Sequence, residues 1–235
     1  MDKTFEFYSQ ILDNVIESDV FWANYFLSPF SFEENVPCFP DEETEFFCGI
    51  SRGALVSNTY NEVVKFELSS QNFCQNEYNI YRAAKEQGLG MCFAACRYIG
   101  TYVKHITIPV VYDLASMLWE DGDLKERIYN EGEEQNCTIY LPLYAYEKVQ
   151  HYVYGSTRVS HDDEAMFHHS NSPLIEREYE IGAAIRHSYG DEVFWDLSNF
   201  CEEWQINDLH VGNVGWTMGT HKFVIMDYAG WHDEF

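Results

Sequence analysis

The chain has 235 residues, 46% of them hydrophobic, which is enough to bury one large core or two small ones and too apolar for a disordered chain. Thirty-nine acidic residues against 14 basic ones give a formal charge of −25, a field that repels phosphate backbones and anionic lipid, so direct binding to nucleic acid or membrane is not expected. Such a field would attract a basic protein surface. Any nucleotide site must build its own positive potential from backbone amides, a lysine or bound cations.

Residues 4–17 carry apolar side chains at 5, 7, 8, 11, 12, 15 and 16, the period of an amphipathic helix. The acidic, proline-containing stretch from Ser28-Pro29 to Pro40-Asp41-Glu42-Glu43 reads as loop. Glu45–Val56 predicts two strands about a turn, and Glu62–Leu68, rich in β-branched and aromatic residues, a third. A helix follows from Asn72 to Glu86, stopped by Gly88 and Gly90. Cys92–Val103 and His105–Asp113 predict two more strands, so the first half reads as an antiparallel sheet carrying one helix.

From Leu114 onward the pattern is mixed and mostly helical, with an acidic run over 119–135 that reads as a solvated face. Helices are predicted over Leu174–Ser188 and Asp191–Trp204. Seven cysteines, with no secretory signal ahead of them, predict packed thiols in a cytosolic protein. Cys92 and Cys96 lack a partner pair at zinc-finger spacing, so a zinc site is not expected. No run approaches the roughly 18 apolar residues that cross a bilayer.

The residues that could do chemistry are concentrated near the end of the chain. Trp204–Trp216 is a helix end running into a polar loop, and Lys222–Gly230 reads as an apolar strand that delivers Asp227 at its tip. Asp208, Asn213 and Asp227 could converge there. Phosphoryl transfer uses such a set: one carboxylate to orient the attacking hydroxyl and accept its proton, and an amide oxygen and second carboxylate to hold magnesium. Hard oxygen donors of this kind suit magnesium rather than zinc.

Asp208-Leu209-x-x-x-Asn213 resembles the protein-kinase catalytic loop, in the form found in kinase-like proteins of bacteriophages, and Met226-Asp227-Tyr228 resembles the metal-binding Asp-Phe-Gly position. Val63-Val64-Lys65 is similar to the strand lysine motif that contacts nucleotide phosphates. Glu77 falls where the glutamate that pairs with this lysine belongs, and Tyr112-Asp113-Leu114 resembles the adenine-binding hinge.

The resemblance implies an α+β, bilobal kinase-like fold: a helical extension over 1–40, a small antiparallel-sheet lobe over 41–114, and a reduced, mostly helical lobe over 115–235. It implies ATP and Mg2+ as cofactors. Asp208 and Lys65 would be catalytic. Lys65, Glu77, Gly49, Gly53, Asp113 and Leu114 would bind nucleotide, and Asn213 and Asp227 would hold the metal. The compartment would be cytoplasmic, the host cytoplasm for a viral protein.

Several positions depart from the family pattern. The glycine loop survives only as Gly49-Ile50-Ser51-Arg52-Gly53, the His-Arg before the catalytic aspartate reads Ile206-Asn207, and Ala229 stands where the triplet has glycine. Five residues follow Gly230, so peptide-substrate binding would fall to 115–205 or to the N-terminal extension. Three functions are consistent with this: a protein kinase acting on a host or self hydroxyl, a catalytically silent acidic protein that inhibits a basic host factor, and a small-molecule phosphotransferase.

Overall fold

The computed structural model describes residues 2–16, 44–48, 52–57, 59–67, 72–113, 127–151, 179–206, 208, 209 and 211–229. It is a mixed α+β protein whose sheets are antiparallel where their register is defined. The chain divides into two compact units that interleave in sequence. One comprises Met1–Asn72 with Tyr98–Ala145, the other Phe73–Arg97 with Tyr146–Phe235.

The first unit is a sheet with a helix on one face. Helix α1 (Lys3–Ile16) starts where Asp2 Oδ1 accepts the Thr4 main-chain N–H at 2.9 Å, a side-chain cap for a donor that the first helical turn leaves unpaired. Strands β1 (Thr44–Cys48), β2 (Arg52–Ser57) and β3 (Glu62–Glu67) follow as an antiparallel meander. Their alternation is that of half-buried strands: Leu55, Val64 and Phe66 point to one face and pack with Tyr8 and Leu12 of α1. The N-terminal helix is therefore part of this unit's core.

Two longer strands complete the sheet, β4 (Cys96–Asp113) and β5 (Arg127–Glu147), in the order β1-β2-β3-β5-β4. Both correct the sequence reading. The two strands expected over Cys92–Val103 and His105–Asp113 are one strand, in which Lys104, the charged residue at the expected break, is half-buried and reaches Asp13 of α1 at 3.0 Å. Cys92 belongs instead to a 3-10 turn, Gly90–Cys92.

β5 occupies ground expected to be mostly helical. There, Ile139, Leu141, Leu143 and Ala145 alternate toward α1 while Tyr140 and Tyr144 point to the other face, which is strand periodicity. The part of the acidic run from 127 to 135 thus lies in a strand, and 119–126 lies outside the described residues.

The second unit begins with α2 (Phe73–Glu86), whose Cys74, Glu77, Ile80 and Ala84 form its buried face. It ends in a left-handed glycine: Gly88 has φ +79, its N–H bonds Lys85 O, and Leu89 N–H bonds Ala84 O at 2.7 Å. Helices α3 (Tyr179–Tyr189) and α4 (Asp191–Glu203) meet at Gly190, φ +89, close to their expected bounds; 174–178 lie outside the described residues. Asp191 and Glu192 sit at the positive end of α4.

Strands β6 (Val149–His151), β7 (Val214–Thr217) and β8 (Phe223–Ile225) make a second sheet in that order. Phe93, Phe194, Leu197, Phe200, Phe223 and Tyr228 dominate the core between these helices and strands.

Candidate functional site

After α4 the chain turns through Gln205, φ +53, and Ile206 N–H bonds Cys201 O at 2.8 Å. Ile206 and Leu209 are buried, and the half-buried Asp208 lies between these two anchors. A 3-10 turn, Val211–Asn213, then brings Asn213 back toward it. Asn213 Nδ2 donates to the Asp208 main-chain carbonyl at 2.8 Å and lies 3.3 Å from Asp208 Oδ2. Two oxygens facing each other would repel, so the amide nitrogen takes this side and Oδ1 is left as the acceptor for other partners.

β7 and β8 form a hairpin, with Val214 opposite Ile225 and Trp216 opposite Phe223. Its turn is tied by side chains: Thr217 Oγ1 accepts the Lys222 main-chain N–H at 2.9 Å and lies 2.7 Å from Thr220 Oγ1. At the other end, Met226 N–H donates to Asn213 O at 2.8 Å and closes the base of the hairpin. Asp227 is the next residue. The hairpin base therefore gathers Asp208, Asn213 and Asp227, which are 19 positions apart in sequence from first to last.

Glu77 belongs to the same unit and is fully buried. Its Oε1 accepts the Tyr228 main-chain N–H at 3.2 Å, tying α2 to the residue after Asp227. The Tyr228 phenol donates to Ala94 O at 3.2 Å, and its ring meets Phe93 edge-on at 5.0 Å between centroids. Burial holds the Tyr228 and Tyr146 phenols well above the ordinary tyrosine range, with the Glu77 charge adding to both. Both are structural, protonated phenols.

The remaining expected residues are placed as follows. Lys65 lies in β3 opposite Ala54, half-buried, and alternates with the core residues Val64 and Phe66, so it points away from the face α1 covers. Gly53 is buried within β2, paired with Cys48 and Phe66. Asp113 is the last residue of β4. Gly49, Leu114, Asn207 and His210 lie outside the described residues.

Tyr228's part in holding Glu77 went unread in the sequence. The group that meets Glu77 is a main-chain N–H, which any residue but proline would supply, so no side chain in the sequence marks the contact.

Among the described residues no three His, Cys, Asp or Glu side chains cluster as a metal cage. Asn213 and Asp227 offer an amide oxygen and a carboxylate, which fits a magnesium ion that draws its other ligands from phosphate and water. Cys74, Cys92, Cys96 and Cys201 are buried thiols, not bridged to one another. Burial pushes the Cys92 thiol up to about 12, far from a reactive thiolate. No helix of the described residues is long and apolar enough to cross a membrane. No protein-family model matches the chain, and neither does any curated protein or solved structure.

Proposed function

We propose that the chain is a magnesium- and ATP-dependent phosphotransferase of the protein-kinase-like type, acting on a protein hydroxyl. The observation that carries this reading is the hairpin base, where the Asn213 amide bonds the Asp208 carbonyl and Met226 N–H bonds Asn213 O. These bonds tie the main chain at Asp208, Asn213 and Met226 together, one residue before Asp227, and support a reading in which in-line transfer needs its acids held in fixed positions.

In this reading Asp208 orients the acceptor hydroxyl and accepts its proton as the oxygen bonds the γ-phosphorus. The bond to the β–γ bridging oxygen breaks and ADP leaves. Asn213 Oδ1 and Asp227 would hold magnesium, which neutralises charge on the transferring phosphate. Glu77 buttresses Tyr228, and through it the position of Asp227.

The test is incubation of the full chain with γ-labelled ATP, magnesium and a cell lysate beside Asp208→Asn. Transfer to the chain or to a lysate protein is expected, and a loss of at least about 100-fold in the variant. Transfer that survives Asp208→Asn undiminished, or a folded protein to which Mg-ATP gives no thermal shift, sinks the proposal.

A second reading is favoured by Gly53. It lies in the paired part of β1 and β2, opposite Cys48, and not in a turn that could grip phosphate. The chain would then be a silent acidic protein that binds a basic partner, and capture of that partner would be lost at high salt but unchanged in Asp208→Asn.

A further inference from the structure

The turn end of the β7–β8 hairpin, opposite the base that carries Asp208, Asn213 and Asp227, borders an open cleft of about 430 Å3 within the second unit. That volume is in the range of small-molecule sites. Its apolar walls are the rings of Tyr81, Phe93 and Tyr189 and the exposed Met91. Its polar groups are Lys85, Lys222, Thr217, Thr220 and Glu147.

The donors outnumber the acceptors. Lys85 is exposed in the last turn of α2 and lines the cleft. Lys222 Nζ gives one proton to Ser188 O and lies 5.3 Å from the Tyr189 ring centroid, which leaves further N–H groups available. Thr217 and Thr220 share one hydroxyl hydrogen between their oxygens, so whichever donates, the hydrogen of the other hydroxyl is left to offer.

Tyr189 is a fixed wall. Its hydroxyl is within hydrogen-bond distance of both Met91 O and Phe223 O, leaving the ring rather than the phenol to meet a ligand. Against these donors stands one carboxylate, Glu147. A cationic ligand would meet two ammonium groups. An anion meets two cations and a hydroxyl, in a protein whose net charge is −25.

We propose that this cleft binds a small planar aromatic anion, its ring against Tyr81 and Tyr189 and its carboxylate or phosphate between Lys85, Lys222 and the Thr217–Thr220 pair. This site is separate from the proposed phosphotransfer site and does not depend on it.

The test is ligand-observed NMR on the full chain with phenyl phosphate and benzoate as probes and benzamide as the uncharged control. At least one anion should bind, and benzamide at least tenfold more weakly. The stronger of the two anions tells phosphate from carboxylate. Lys85→Gln, an exposed position that keeps the fold, should weaken the bound anion at least threefold. Thr220→Val should do the same, and Asp208→Asn should leave the affinity unchanged. The proposal is overturned if neither anion binds, if benzamide binds as tightly as the better anion, if Lys85→Gln has no effect, or if Asp208→Asn displaces the anion.

Discussion

Asp13 is the residue through which α1 is tied to β4. Tyr102 OH donates to its Oδ1 at 2.7 Å and Lys104 reaches it at 3.0 Å. The Tyr102 hydrogen bond, ahead of Lys104, holds the Asp13 carboxyl below its ordinary range. A carboxyl depressed in the folded state adds stability above its unfolded pKa and loses it as pH falls through the folded one. The side chain is half-exposed, so the term is small. Asp13→Asn should lower stability by less than about 1 kcal/mol at neutral pH. The gap to the unsubstituted chain should close as urea unfolding is repeated toward pH ~3; a gap that widens in acid contradicts the assignment.

Asp208 and Asn213 were selected by chemistry and spacing, and the two are in hydrogen-bond contact. The partner of Glu77 was not readable, because Tyr228 lies 151 positions away in sequence.

At the scale of elements, β7 has a position that admits only glycine without a shift of its neighbour. A Cβ on Gly215 would lie 2.5 Å from the Gln150 carbonyl oxygen of β6, and a paired backbone cannot move aside as a side chain can. Gly215→Ala should destabilise by about 1–3 kcal/mol in urea unfolding. Gly219→Ala, in the hairpin turn with nothing within 4 Å of the added carbon, should stay within about 0.5 kcal/mol. Equal effects at the two positions would mean that β6 does not approach β7 this closely.

Elements with a strong local period were legible: β2 and β3 alternate, α2 repeats every three to four residues, and Gly88 stops it. β4 and β5 were not, for a common reason. Lys104 reads as a break until Asp13 is there to receive it, and the acidic run, part of which lies in β5, reads as a solvated face until Ile139–Ala145 have a sheet to join.

For the whole molecule, a charge of −25 on 235 residues acts against compaction, because like charges are closer in the folded chain than in the unfolded one. Raising ionic strength from about 0.01 M to about 0.15 M shortens the Debye length from ~30 Å to ~8 Å and should relieve this. The thermal midpoint should rise, by about 2–4 °C for each kcal/mol relieved. A midpoint that falls with salt would mean that local ion pairs outweigh the collective repulsion.

Periodicity and turn chemistry alone placed helices near 4–17, 72–86 and 191–204, and strands within 45–56 and 62–68. These follow from interactions within a few residues, where side-chain period and turn chemistry suffice. The tertiary structure decided the rest. It placed α1 in a core, joined β5 to the first sheet, interleaved the two units in sequence, and lodged the Glu77 carboxylate on the Tyr228 amide. Each of these depends on a partner tens of residues away, and no local pattern encodes which distant group will satisfy a buried charge or an unpaired strand.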